Sequence, residues 1–316
     1  MPQIKYADMH CDTVTVCCDA GGNPDGFCGQ INLKKLREGG CSAQCFAIFT
    51  EGKNAAADFN RYAAFYSGQF ANNPLILPVQ SYSDLQKAQE EGRIAAILTV
   101  ENLGFTGGDL SVIPELKRAG VHMASLVWNN ANCFAYPNLI FEGGKPLFEA
   151  REKRGLTDLG KDAVRALNEN KIIVDISHLS DGGADDVLNI SNAPVVASHS
   201  NSAAVCNVCR NLTDSQLKKI AEGGGVAGLN FCRDFVGGES AFESLCRHLK
   251  HMIKVGGEDL PALGSDFDGI PPYDEISGCE KVQSLLEYFA RSGISPRVLD
   301  KVAYGNFARV FKEVVG

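Results

Sequence analysis

No stretch of this 316-residue chain approaches the ~20 consecutive apolar residues needed to cross a bilayer, although 45% of its residues are hydrophobic. No membrane partner is expected. The N-terminus, Met1-Pro2-Gln3-Ile4-Lys5, lacks the apolar stretch and small-residue cleavage site of an export signal. Lys312-Glu313-Val314-Val315-Gly316 is no anchor signal either. Basic charge is also short, with 30 Lys and Arg against 38 Asp and Glu and a formal net charge of −8. Nucleic-acid partners need clustered cations, so a small molecule is the expected partner. The sequence has no low-complexity linker, internal repeat or shift of composition, and one domain over residues 1–316 is the economical reading. Twelve cysteines are present. A long acidic chain without an export signal is expected in the reducing cytoplasm, with small buried thiols rather than disulfides. Cys206-x-x-Cys209 is the one zinc-type or redox-type spacing, and no second pair follows it.

What the chain does contain is alternation. Short apolar runs occur at residues 5–9, 42–49, 94–100, 122–127, 172–176, 194–198, 225–230 and 262–265. Amphipathic stretches lie between them at 55–67, 82–91, 111–118, 158–168, 181–190, 215–222 and 240–255, and two more, 281–291 and 307–315, close the chain. Thr157 and Thr213 suit helix N-caps, while Gly92, Gly120 and Gly223 suit helix ends. Strands alternating with helices form parallel sheets. Eight such units predict an α/β fold, a TIM-like (β/α)8 barrel. The Gly- and Pro-bearing segments Gly21-Gly22-Asn23-Pro24 and Gly143-Gly144-Lys145-Pro146 are expected in loops that shape a pocket.

Five of these runs end in metal-binding residue types: His10 with Asp12, then Glu101, His178, His199 and Asp266. Strand ends converge at one mouth of a parallel barrel, so groups remote in sequence become neighbours there. His10 and Asp12 are two apart, which sends both to one face while Cys11 points away. Taken singly, each cluster has an ordinary explanation as a hydrogen-bonded pair, a capping carboxylate or a structural histidine. Together they supply two or three ligands for each of two cations, with Glu101 placed to bridge, as in a binuclear hydrolytic centre with metals ~3.5–4 Å apart. Asp266 adds a carboxylate that acts as a weak ligand or moves a proton from the attacking water. Asp268 beside Gly269 reads as a turn residue. His122 and the pair His248 and His251, on a surface-like helix, read as structural or solvated.

With these residues in view, the chain resembles the membrane dipeptidase (renal dipeptidase) family, peptidase family M19, over nearly its whole length. The motifs that carry the resemblance are His10-x-Asp12-Thr13, Glu101, Gly155-Leu156-Thr157-x-x-Gly160, Ser177-His178, Ser198-His199-Ser200-Asn201, Arg210-Asn211-x-x-Asp214, Gly264-Ser265-Asp266-Phe267-Asp268-Gly269 and Gly305-Asn306-x-x-Arg309. The resemblance implies a metallo-dependent hydrolase barrel with two zinc ions per chain. His10 and Asp12 would hold one, His178 and His199 the other, and Glu101 would bridge them, with a shared water attacking a dipeptide carbonyl. It also implies Asp266 as the acid/base and Arg210 as the bidentate partner of the substrate's free C-terminal carboxylate.

Two positions depart from the pattern. Many relatives place a His after the fourth strand to steady the oxyanion, where this chain has Trp128 and Asn129. An Asn amide or the metals themselves would serve instead. Cys232 stands where some relatives carry a carboxylate-binding Tyr. The export signal and lipid-anchor tail of animal members are missing, which suggests a soluble, bacterial-type protein. Two other readings remain open: a metal-dependent hydrolase of another amide, a lactam or a lactone, and a non-catalytic metal-binding relative. Assembly, a homodimer included, is open as well.

Overall fold

Strands covered by helices on their outer face and packed on one another inside have no face left for water, which is why the apolar runs are nearly continuous. In the computed structural model, which describes residues 3–316, these runs form β1 (Tyr6–Asp8), β2 (Cys41–Phe49), β3 (Ile94–Glu101), β4 (Val121–Ser125), β5 (Ile173–Asp175), β6 (Val196–Ala197), β7 (Val226–Leu229) and β8 (Pro261–Leu263). All eight pair in parallel, in that order. Backbone bonds from Met9 N to Leu263 O (3.0 Å), Asp266 N to His10 O (3.1 Å) and Asp12 N to Phe267 O (2.9 Å) bring the β8 end back to the β1 end. The sheet is thus a nearly closed TIM-like barrel.

Several strands are shorter than the sequence predicts, because polar residues at the predicted ends leave the ladder. Ser198 and Ser265, for example, turn their groups onto buried carboxylates. A further strand, Ile76–Pro78, was not anticipated. It runs along the first part of β3, on the edge that β4 takes over from Leu98 onward. Three residues ending in proline carry too little periodicity to be read as a strand. The glycine-rich segment near residue 143 forms a small hairpin, Phe141–Glu142 with Lys145–Pro146, whose two central glycines both have positive φ.

The helices Tyr82–Glu91 and Asp181–Ile190 lie where periodicity places them, and Thr157 and Thr213 accept the bonds expected of N-caps. Four short helices escaped the sequence pattern: Thr13–Asp19, Leu33–Glu38, Arg233–Val236 and Pro296–Asp300. The first, Thr-Val-Thr-Val-Cys-Cys-Asp, is rich in β-branched residues that favour strands. Burial of Thr13, Val14, Thr15 and Cys17 overrides that preference.

Small residues fill the barrel axis. Ala7, Ala43, Cys45, Ala95 and Ala262 pack with Met9, Ile97, Met123 and Ile173, and the C-terminal helix Asn306–Val314 adds Phe307, Val310 and Phe311 to the same cluster. The Asn306 amide donates to Glu258 O and Pro261 O, so this helix stoppers the barrel where β8 begins. All twelve cysteines are free thiols, eight of them buried. Cys206 and Cys209 point at different carbonyls, of Asp234 and Leu147, and share no site. His248 corrects the surface reading of its helix: it is fully buried between Ser202 N and Val236 O, whereas His251 meets Asp214. His122 is also buried, with Nε2 on Val79 O. Among the described residues no helix is long and apolar enough to cross a membrane.

Phe311 has no exposed surface. Replacing it with Ala should cost ~3–5 kcal/mol of stability, read as a lowered urea midpoint with unchanged slope.

Candidate metal centre

The strand ends deliver their polar residues to a single buried mouth. Glu101 is the last residue of β3, His10 lies two residues past β1, His199 two past β6, and His178 and Asp266 three past β5 and β8. All five, together with Asp12, are less than a tenth exposed. Glu101 stands in the middle. Its Oε2 lies 3.8 Å from His10 Nε2, while Oε1 lies 2.9 Å from His178 Nε2 and 3.7 Å from His199 Nε2. His10 Nε2 is also 3.6 Å from Asp12 Oδ2 and 3.9 Å from Asp266 Oδ1. The structure therefore brings together every residue that the sequence proposes as a ligand. Two triads within it, His10 with Glu101 and His199, and His10 with Asp12 and Asp266, have donor atoms close enough to share one ion.

Arg210 and Asn129 join this cluster through His178. The guanidinium is buried, with Nη1 donating to Ser177 O and Nη2 lying 3.2 Å from His178 Nε2. Arginine can only donate, so His178 Nε2 is the acceptor and its ring proton sits on Nδ1. Asn129 Oδ1, 3.1 Å from Nδ1, receives that proton. Trp128 is half-buried, its ring 4.7 Å from that of Phe49. Together with Leu139, Phe235 and Ile270 these aromatics wall a cavity of about 300 Å³, whose floor includes Asp12, Glu101, His178, Arg210 and Asp266.

Sequence reasoning passed over a layer just beneath the ligands. Asp8 accepts from His10 N and from both the backbone and the hydroxyl of Ser265, tying β1 to the β8 end. Asp175 does the same for β5 and β6 through Ser177 and Ser198. Asn230, after β7, donates its amide to Asp266 Oδ2 at 2.8 Å. A signal for this layer was available: an Asp stands inside an apolar run at 8 and at 175, and a Ser immediately precedes His178, His199 and Asp266.

Electrostatics test whether a cation fits. Burial alone would depress His10, yet Glu101, Asp12 and Asp266 outweigh it and raise its pKa to about 10. Burial pushes Glu101 well up, and the Asp12 and Asp266 charges add to it. Burial lifts Asp266 to about 6. His178 and His199 move the other way, held neutral by burial and by the nearby Arg210 and His10 charges. Among the described residues His10 Nε2 and Asp12 Oδ1 are buried without a hydrogen-bond partner, and His178 Nε2 and His199 Nε2 face each other at 3.0 Å. Carboxylates that hold extra protons, orphaned donor atoms and two opposed imidazole nitrogens form a set short of positive charge. Imidazole and carboxylate donors suit a divalent cation such as zinc.

The His10 shift gives a testable sign. In the fold its proton is held to about pH 10, and in the unfolded chain only to about 6.5. This stabilisation is complete below pH 6.5 and lost as pH rises toward 10. Chelator-treated protein should melt at progressively lower temperature from pH 7 to 10, with a flatter profile in His10→Gln; superimposable profiles would refute the assignment. Gly269 offers a second test, because a Cβ there would collide with Asp12 Oδ2. Gly269→Ala should lower metal content after dialysis against limiting zinc, measured by elemental analysis, without unfolding the barrel.

Comparison with known proteins agrees with this geometry. The sequence pattern of the membrane dipeptidase family (peptidase family M19) matches residues 1–315. An uncharacterized protein in the pqqA 5′ region of Klebsiella pneumoniae is 34% identical over 241 residues, 74% of this chain and 87% of that protein. An uncharacterized dipeptidase of Schizosaccharomyces pombe is 30% identical over 78% of this chain, an alignment spanning 62% of the yeast protein's length. Among solved structures, a metallopeptidase from Rhodobacter sphaeroides, liganded with a phosphinate mimic of the dipeptide L-Ala-D-Ala, superposes with a TM-score of 0.90 at 25% identity, covering 99% of each chain. A dipeptidase of family M19 gives 0.91 at 27% identity, also with 99% of each chain covered. The chain belongs to the membrane dipeptidase family, peptidase family M19, and is a metal-dependent hydrolase of peptide bonds.

Proposed function

We propose that this enzyme hydrolyses dipeptides with a free C-terminal carboxylate and does so with two zinc ions. The observation that carries this reading is the placement of Glu101, one oxygen toward His10 and the other toward His178 and His199. His10 and Asp12 would hold one ion and His178 and His199 the other, with Glu101 between them. When bound, such a pair acidifies an attacking water and polarises the scissile carbonyl.

The chain's own residues supply the remainder. Asp266, its Oδ2 fixed by Asn230, keeps Oδ1 toward the ligand cluster, where it takes the proton of the attacking water and passes it to the departing amine. A ring nitrogen has one lone pair, so His178 Nε2 cannot serve a cation and Arg210 together. Arg210 Nη2 is then left for the substrate carboxylate, a charge-assisted pair in a buried site. Asn129, with Oδ1 engaged by His178, has its amide nitrogen for the oxyanion. Trp128 forms part of the cavity wall. The Rhodobacter relative's dipeptide mimic supports this substrate class.

Dipeptide hydrolysis should cease on chelation and return with zinc. Asp266→Asn should lower kcat by ~10²–10⁴-fold while zinc content is retained. A C-terminally amidated dipeptide should be a poor substrate, and Arg210→Met should narrow the gap between acid and amide by raising KM for the acid. Chelator-resistant turnover, or equal rates on acid and amide, would refute the proposal.

A further inference from the structure

The two serine hydroxyls beside Asp175 lie 3.1 Å from each other, and each has a shorter contact to the carboxylate, which claims its proton. Asp175 is 4% exposed, does not line the cavity and ends β5. Its Oδ1 accepts from Ser177 N (3.0 Å), Ser177 Oγ (2.7 Å) and Ser198 N (2.9 Å), and its Oδ2 accepts from Ser198 Oγ (2.5 Å). A serine hydroxyl has a single proton. Ser198 commits its own to Asp175, so toward His199 Nδ1, 2.7 Å away, the same oxygen can only accept. The proton on that line therefore belongs to the imidazole. Ser177 Oγ, likewise committed to Asp175, accepts from His199 N at 3.1 Å and fixes the backbone of the same residue.

The opposite assignment fails on its neighbours. A proton on Asp175 Oδ2 would turn the Ser198 hydroxyl toward Nδ1 and leave the His199 proton on Nε2. That N–H would point at His178 Nε2, 3.0 Å away, whose one lone pair already receives Arg210 Nη2 at 3.2 Å.

We propose that Asp175 is a positioning residue which, through the Ser198 hydroxyl, locks His199 with its proton on Nδ1 and presents a bare Nε2 to Glu101 and the ligand cluster. Asp175 lies outside both the cavity lining and the candidate ligand groups. The role rests on the metal-centre reading, and it separates this side of the mouth from the β1 side. There Asp8 holds the backbone of His10 but no bond joins it to the ring. Outer partners of this kind set ligand orientation and basicity, and their loss commonly weakens metal binding ~10–100-fold.

Two measurements decide the matter. The first is long-range ¹H–¹⁵N correlation of metal-stripped protein, with the His199 signals assigned by their loss in His199→Gln. Wild type should show the Nδ1–H tautomer at His199, and Ser198→Ala a mixture of both. The second is zinc competition against a chromophoric chelator, in which Ser198→Ala and Asp175→Asn should each lose ~10–100-fold. Ser198→Thr, which keeps the hydroxyl, should stay within a few-fold of wild type. Thermal unfolding of each variant identifies any loss of fold, and Ser198→Ala removes only one oxygen if Asp175→Asn proves too disruptive. An Nε2–H tautomer in wild type, or a folded Ser198→Ala with unchanged zinc affinity, overturns the inference. Wild type that takes up no zinc would instead overturn the metal-centre reading, and the tautomer measurement would still decide the Asp175 role.

Discussion

Three carboxylates crowded at one buried barrel mouth repel one another unless positive charge stands among them. Unit charges ~4 Å apart interact by about 4 kcal/mol at the effective dielectric of a protein site, and Glu101, Asp12 and Asp266 converge within 3.9 Å of one atom, His10 Nε2, where a proton on the imidazole is attracted to all three. Extra protons relieve part of this, as the raised His10 and Asp266 show. Protons are a poor substitute for a cation, because each neutralises one donor whereas a divalent ion draws several at once. The same crowding that is costly in the bare donor set is what gives the site its affinity for metal.

Holding such a set requires backbone geometry that an ordinary strand end would not adopt. Asp266 and Asp268 both lie in the left-handed region, with φ of 64° and 66°, at a cost of ~1–3 kcal/mol each. The surrounding bonds over-determine them. Asn230 fixes Asp266, while Asp268 accepts from Thr13 Oγ1, Gln30 N and Ile31 N. Asp268 is thus a turn residue, as its sequence context suggests, and also a tie between the β8 loop and the segment that follows β1. Gly269 completes the turn for a steric reason, since any side chain there would displace the Asp12 and Asp266 carboxylates from each other.

The barrel was legible because eight apolar runs alternate with amphipathic helices, and its mouth because the ligand types stand just past those runs. Ile76–Pro78 and the helix Thr13–Asp19 were not, for opposite reasons. The strand is too short to show a period, and the helix has a strand-like composition that tertiary burial overrules. The missed carboxylates are more instructive. Asp8 and Asp175 look like blemishes in apolar strands, and hydropathy discards them. A buried charge without a partner is so costly that each Asp should instead have prompted a search for donors. The serines at 177, 198 and 265, each one residue before a member of the cluster at the mouth, supply them. Arg210 came from motif resemblance alone. Its approach to His178 joins loops 32 residues apart in sequence, and no periodicity encodes it.

These layers divide the barrel along its axis by physical task. At the closed end, alanines, Cys45 and the phenylalanines of the last helix are apolar and exclude water. Above them the Asp8 and Asp175 clasps join neighbouring strands with buried, fully committed hydrogen bonds. At the mouth stand the donors and Arg210. Water excluded from below strengthens every electrostatic interaction in the middle layer, so the clasps fix ligand positions with a stiffness that a solvated network would lack. A change at the closed end should therefore act on stability, one in the clasps on ligand geometry, and one at the mouth on chemistry.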